Sequence, residues 1–341
     1  MKKLTILLGT YPDLFFRTGG LQNQILKTRQ ELEALGHKAL LYYEYLSAPQ
    51  PIDIYHHFSV EPDSLSIFKA GKKLARKTIL SPVFNHSNSN LRMSIIQTAN
   101  RLSPVSLLGY KERQQIWNGA DGAVYLANRE KRLVTGYLGP QTLPEKIIPN
   151  GLPEAFTAEV VSTPRPAGAP YLLHVGGIYP LKNQHISIAI ARQLGIPLKI
   201  IGPILDESYA AQLRQTIGDT GTDAEILRPI PNHYPEYARL IRGATAVLLP
   251  SKSEVFPLTF IESIVLGTPI ACTSNCLLKD EYFSDATWCK FAVPEVTAFS
   301  KAVAAIMGQQ VPPETIENVH SRFQWRRIAE NLTSFYHETL A

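Results

Sequence analysis

Short runs rich in leucine and β-branched residues alternate with amphipathic segments along nearly the whole 341-residue chain. A strand buried on both faces reads as a continuous apolar run, whereas a helix packed upon it repeats its apolar residues every three to four positions. In the first half the strand candidates are "LTILLGT", "HKALLYYEY", "DIYHHFS", "KTILSPVF" and "GAVYLAN". The second half offers "YLLHVGGI", "PLKIIGP", "AVLLPS" and "PIACTS", separated by helical stretches such as "NQHISIAIARQLG" and "PEYARLIRGA". This alternation predicts an α/β protein built on parallel sheets covered by helices on both faces.

The length exceeds that of one ordinary domain and predicts two. Proline and small residues gather in "VVSTPRPAGAP", residues 160–170, and a new strand follows at Tyr171, which marks a linker. Residues 1–160 and 161–322 are therefore expected to form two Rossmann-like, doubly wound domains. Facing each other they leave a cleft lined by loops at the carboxyl ends of their strands, where open α/β sheets bind ligands.

Composition removes several function classes. No apolar run approaches the roughly 20 residues of a membrane-spanning helix, and "MKKLTILLGTYPD" reads as a first buried strand rather than a secretory leader. Cys272, Cys276 and Cys289 lack a second ligand pair at zinc spacing, so reduced thiols in a cytoplasmic protein, and no metal, are expected. Basic residues outnumber acidic ones 19 to 13 through residue 160 and stand at 15 to 16 thereafter. "FKAGKKLARK", residues 68–77, interleaves Lys69, Lys72, Lys73, Arg76 and Lys77 with apolar positions, a helix pattern suited to an anionic membrane surface, the inner face of the plasma membrane included. A solvated helix face gives the same pattern. Nucleic acid is not an expected partner, because no basic motif carries interleaved stacking aromatics.

Chemistry concentrates in "PSKSEVFPLTFIESIVLGTPI", residues 250–270, where seven residues separate Glu254 from Glu262. Pro257 and Thr259 signal a helix start, which puts Glu254 in a strand-to-helix loop and Glu262 in the first helical turn. Thr259 and Glu262 also fit a capping box. A carboxylate in such a loop can accept hydrogen bonds from sugar hydroxyls, and amides at the helix start can hold a phosphate.

This stretch, with Gly267-Thr268-Pro269 after it, resembles the signature of the retaining GT-B glycosyltransferases of family 4 type, the glycosyl transferases group 1. "TGGLQNQILKTRQELEALGHKALLY", "IIPNGLP", "HVGGIYPLKNQHISI" and "FQWRRIAENLTSFYHETL" resemble, in order, its glycine loop and first helix, interdomain segment, phosphate loop and closing helix. The resemblance implies a GT-B architecture, with an acceptor-binding domain at 1–160, a nucleotide-sugar-binding domain at 161–322 and residues 323–341 closing back on the first domain. It implies transfer of a sugar from a UDP-, GDP-, ADP- or dTDP-sugar co-substrate to a carbohydrate or lipid-linked glycan acceptor, as in polysaccharide or lipopolysaccharide biosynthesis. Anomeric configuration would be retained, with neither cofactor nor metal.

Residue by residue, the resemblance implies that Gly19 and Gly20 let backbone approach the donor diphosphate and that Lys182 neutralises it. Glu254 would bind the donor sugar, with the amides of Phe256 and Leu258 near sugar or phosphate, and Glu262 would hold the ribose. The family places a histidine near the reacting sugar. The candidates are His56, His57 and His86, of which His86, just past a strand end where acceptor or donor could reach it, is the expected one; His56 and His57, adjacent in a strand, point to opposite faces and are not expected to hold a metal together. Two departures stand out: Gly177, in the phosphate loop, replaces an arginine partner of Lys182, leaving a cation such as Arg17 to act instead, and Pro257 replaces a glycine. They make a catalytically silent binding or scaffold protein of the same fold the alternative.

Overall fold

The computed structural model describes residues 2–14, 19–45, 50–84, 95–100, 103, 105–153, 155–231, 235–279, 281, 283 and 286–341. The chain divides into two compact units, Met1–Gly151 with Trp325–Ala341, and Leu152–Gln324.

The first unit is built on β1 (Thr5–Gly9), β2 (Lys38–Leu41), β3 (Ile52–Phe58), β4 (Ala75–Ser81), β5 (Gly122–Tyr125) and β6 (Glu145–Ile147). All pair in parallel, in the order β2-β1-β3-β4-β5-β6. One face packs Ile6, Leu8, Ile54, Phe58 and Ile79 beneath the Gly20–Ala34 helix and the C-terminal Trp325–Leu340 helix. That last helix seats Trp325, Ile328, Leu332, Phe335 and Tyr336 in the same core. The opposite face packs Tyr55, Phe68, Trp117, Tyr125 and Tyr137.

His56 and His57 leave β3 on opposite faces. His56 bonds Tyr336 Oη at 2.7 Å and Ser81 Oγ at 2.8 Å, and His57 bonds Tyr55 Oη at 2.7 Å and Ser64 Oγ at 3.0 Å. Burial pushes each imidazole down to about 3. They are neutral core residues.

The basic stretch differs from its sequence reading. The helix spans only Leu65–Leu74, and β4 begins at Ala75, so Arg76 and Lys77 are strand residues. Phe68 and Gly71 face inward, and Gly71 lies so close to the Tyr55 ring that a Cβ there would collide with it. The apolar side of this segment is thus used on its own sheet. Among the described residues no helix is long and apolar enough to cross a membrane.

The second unit is built on β7 (Leu172–Val175), β8 (Leu198–Ile201), β9 (Ala224–Leu227), β10 (Ala246–Leu249), β11 (Ile270–Thr273) and β12 (Cys289–Ala292), again all parallel. Their order, β12-β11-β10-β7-β8-β9, reverses direction between β7 and β10. Continuous burial of β7, β10 and β11 explains their unbroken apolar sequences. Residues 152–170 belong to this unit rather than to the first: Phe156 stacks on Tyr237, and the buried Arg242 guanidinium donates to the carbonyls of Thr163 and Val161. The division therefore falls at 151/152 and 324/325 rather than at 160/161 and 322/323.

Candidate active site

In a doubly wound sheet two neighbouring strands whose connections run in opposite directions leave a crevice at their carboxyl ends. In the second unit these strands are β7 and β10. Lys182 lies in the loop after β7 and Glu254 in the loop after β10. Their side chains meet, Lys182 Nζ lying 2.6 Å from Glu254 Oε1.

The two loops are laced together. Asn183 adopts a left-handed conformation, φ 53°, and its Nδ2 donates to the Pro250 carbonyl at 2.9 Å. The Lys252 amide donates to the Leu181 carbonyl at 2.8 Å. Glu254 is fixed in turn by its backbone, whose amide donates to Asn275 O and whose carbonyl accepts from Leu277 N. The fully buried Ser251 hydroxyl donates to Glu254 Oε1 at 2.5 Å. For Lys182, burial alone would lower the ammonium pKa, but the Glu254 carboxylate beside it outweighs burial and raises it. The result is a charged lysine held at a sheet switch point by a carboxylate that is only 8% exposed. Close backbone approach shapes the same corner: Gly202, φ 157°, lies against the Gly176 carbonyl with no room for a Cβ.

The helix after Glu254 spans Leu258–Val265. Its N-cap is Pro257, with no side-chain capping bond. Proline fixes φ for helix entry and has no amide to satisfy, so the helix begins directly after it. The expected Thr259–Glu262 capping box is consequently absent, and Glu262 lies past the first turn as the fifth helical residue. Its side chain points inward, 2% exposed, where Oε2 accepts a 2.7 Å hydrogen bond from the Tyr237 phenol. Burial pushes this carboxyl up to about 7, against a smaller lowering by Tyr237.

The other expected residues are distributed as follows. Phe256 is buried, its ring 6.0 Å from that of Phe323, and Leu258 is the first residue of the helix. The carbonyl of Gly177 accepts from Gln184 Nε2 at 2.8 Å, and a Cβ at Gly177 would lie 2.8 Å from Leu205 Cδ1. Gly19 and Gly20 open the first helix after β1, and no described residue comes within 4 Å of a Cβ built on either. Gly19 has φ 178°, extended backbone that any residue adopts, so backbone strain does not mark this position. His86 and Arg17 lie outside the described residues.

Sequence reasoning missed two contributors. Ser251 stands three positions before Glu254 in the same loop, a spacing that could have flagged it. Tyr237, on the Pro235–Gly243 helix, is 25 positions from Glu262 and leaves no local signal. The three cysteines are buried free thiols, and among the described residues no group of three His, Cys, Asp or Glu side chains is placed to hold a metal ion.

Residues 156–322 match the family of glycosyl transferases group 1. A D-inositol 3-phosphate glycosyltransferase of Arthrobacter sp. (strain FB24) is 31% identical over 115 residues, covering 32% of this chain and 27% of that protein. A glycogen synthase of Mycobacterium tuberculosis (strain H37Rv) is 24% identical over 217 residues, 60% of this chain and 50% of that protein. The matches thus span half or less of these relatives' lengths.

Among solved structures, sucrose-phosphate synthase from Thermosynechococcus elongatus aligns over 99% of both chains with a TM-score of 0.75 at 14% identity. HepE of Anabaena, in complex with UDP, aligns over 98% of this chain and 100% of its own with a TM-score of 0.71 at 14% identity. Identity this low speaks for the fold alone. Residues 156–322 thus match the glycosyl transferases group 1 model, and the chain as a whole has the GT-B fold of the solved structures.

Proposed function

We propose that the protein moves a sugar from a nucleotide-sugar donor to a carbohydrate or lipid-linked glycan acceptor, retaining the anomeric configuration and using no metal ion. The observation that carries this reading is the Lys182–Glu254 pair, set by Ser251 at the switch point. Breaking a glycosyl phosphate bond places negative charge on the departing diphosphate and positive character on the anomeric carbon. A lysine already charged and partly withdrawn from water stabilises that anion without reorganising, and amides at a helix N-terminus add to it. Donor binding transfers Lys182 from Glu254 toward the diphosphate and turns Glu254 to the sugar hydroxyls. Phe256 and Leu258 supply amides beside sugar or phosphate, and Glu262 takes the ribose. Departure of the diphosphate on the face the acceptor attacks lets its phosphate accept the acceptor's proton, which gives retention.

The first unit takes the acceptor in this reading. Gly19 and Gly20 offer backbone to the diphosphate in this reading, and His86, outside the described residues, is the histidine proposed for the sugar. Lys69, Lys72 and Lys73 are exposed and keep an anionic membrane surface among the proposed partners, by charge alone, since Phe68 is buried.

The test is thermal unfolding of the full chain with UDP, GDP, ADP, dTDP and their sugar conjugates. UDP comes first because HepE of similar fold was solved with UDP and with UDP-glucose. A ligand at a hundredfold excess over its dissociation constant adds about 2.7 kcal/mol. Stabilisation by one nucleotide, reduced in Glu262→Gln, supports the reading, and no shift with any of them at millimolar concentration refutes it. Gly177 and Pro257 favour a second reading, a nucleotide-binding protein without turnover. Release of nucleoside diphosphate over many turnovers with a glycan acceptor would eliminate it.

A further inference from the structure

Two buried carboxylates in this protein are satisfied in different ways. Glu130, 1% exposed, uses both oxygens: Oε1 accepts from the Phe84 amide at 2.8 Å and Oε2 from the Leu126 amide at 2.6 Å. That arrangement ties two strand ends together and is complete. Glu262, 2% exposed, accepts through Oε2 alone, from the Tyr237 phenol at 2.7 Å, and Oε1 has no partner among the described residues. Oε1 is not among the side-chain atoms that are both wholly buried and unpartnered, so this oxygen keeps access to its surroundings while Oε2 is held.

The phenol that holds Oε2 is itself well fixed. The Tyr237 ring is buried and lies nearly parallel to Phe156, centroids 6.4 Å apart and planes at 14°. His320 Nε2 bonds the Phe156 carbonyl at 2.7 Å, and the Thr259 hydroxyl also reaches the phenol. Burial and Tyr237 are the two influences acting on the Glu262 carboxyl, and Tyr237 favours its ionised form. A phenol locked on one oxygen also sets the plane of the carboxylate, and with it the direction of the other oxygen's lone pairs.

We propose that Tyr237 is a positioning residue for nucleotide recognition: its phenol pins Oε2 of Glu262 so that Oε1 is presented to the vicinal hydroxyls of the nucleotide ribose. The inference rests on the reading of Glu262 as the ribose-binding residue. It adds a contact that lies outside the Glu254–Glu262 stretch, and assigns ribose selectivity to a pair of residues rather than to the glutamate alone.

The experiment compares UDP, GDP and ADP with their 2′,3′-dideoxy counterparts by calorimetric titration of the full chain, in wild type, Glu262→Gln and Tyr237→Phe. Wild type is expected to prefer the ribonucleotide, and Glu262→Gln to lose that preference. Tyr237→Phe is expected to narrow it by about tenfold, the worth of one charge-assisted hydrogen bond, while leaving the dideoxy affinity unchanged. A merely structural tyrosine would weaken both nucleotides alike. A wild type or a Glu262→Gln that treats the two sugars as before removes the ribose reading and this inference with it. A Tyr237→Phe that keeps the full preference overturns this inference alone.

Replacement of Tyr237 by 3-fluorotyrosine provides a second measurement should Tyr237→Phe fold poorly. It keeps the ring and makes the phenol a stronger donor. A changed ribose preference supports the assignment, and an unchanged one overturns it.

Discussion

Replacing Glu262 by glutamine should stabilise the protein at alkaline pH while weakening ribonucleotide binding. The carboxyl is 2% exposed, and burial raises its pKa from 4.5 to about 7. Because the folded value lies above the unfolded one, the favourable contribution of the protonated group is complete below pH 4.5 and is lost as pH rises through 7. Above pH 7 the folded chain therefore carries a buried charge at a cost of about 3 kcal/mol, from roughly 1.4 kcal/mol per pKa unit. Glutamine has the same shape, still accepts from Tyr237, and carries no charge. Calorimetry at pH 8 should show Glu262→Gln melting higher by on the order of 10 °C, given about 2 to 4 °C per kcal/mol for a unit of this size. At pH 5 the difference should largely vanish. Equal melting at pH 8, or the same gain at both pH values, would refute the reasoning, since either result means that the carboxylate is not buried as described.

Other perturbations probe the same framework. Lys182→Met leaves the Glu254 carboxylate desolvated without its cation and should cost about 1 to 3 kcal/mol, read as a lower denaturation midpoint, together with loss of nucleoside diphosphate binding. Glu254→Gln should weaken binding of the sugar conjugate more than that of the bare nucleotide, measured by titration with each. Gly202→Ala places a Cβ against the Gly176 carbonyl at φ 157°. It should destabilise the second unit by about 1 to 3 kcal/mol in chemical denaturation. For His56 and His57 the sign is opposite to that of Glu262: folded values near 3 lie below the ordinary 6.5, so each contributes stability above pH 6.5 that is lost toward pH 3. Each adds a slope of about 1.4 kcal/mol per pH unit over that interval, and His57→Gln should flatten the wild-type decline in denaturation midpoint between pH 7 and 5.

The sequence alone carried the fold class, because a strand buried on both faces must be apolar throughout. β7, β10 and β11 are buried along their whole length and were legible as "LLHV", "AVLL" and "IACT". The edge strands β6, β9 and β12 were not, since "EKI", "AEIL" and "CKFA" are covered by a neighbour on one side only and tolerate polar and half-exposed residues. Residues 160–170 had linker composition, yet their first three residues end a short helix, Ala158–Ser162, and only packing decided the allegiance of the stretch, through Phe156 on Tyr237 and Arg242 on the carbonyls of Thr163 and Val161. Likewise "FKAGKKLARK" looked like one basic helix until pairing with β3 claimed its last residues for β4.

At the candidate site, the spacing of Glu254 and Glu262 and the position of Lys182 were visible as local motifs. What those side chains do to one another was not. Lys182 and Glu254 are 72 positions apart, and Tyr237 and Glu262 are 25 apart. Only the order of strands in the sheet brings β7 beside β10, and only the burial that follows makes a hydrogen bond between such distant groups strong enough to set charge and direction. Local sequence fixes which groups a loop can offer; long-range packing decides which of them meet, and how much water is left between them.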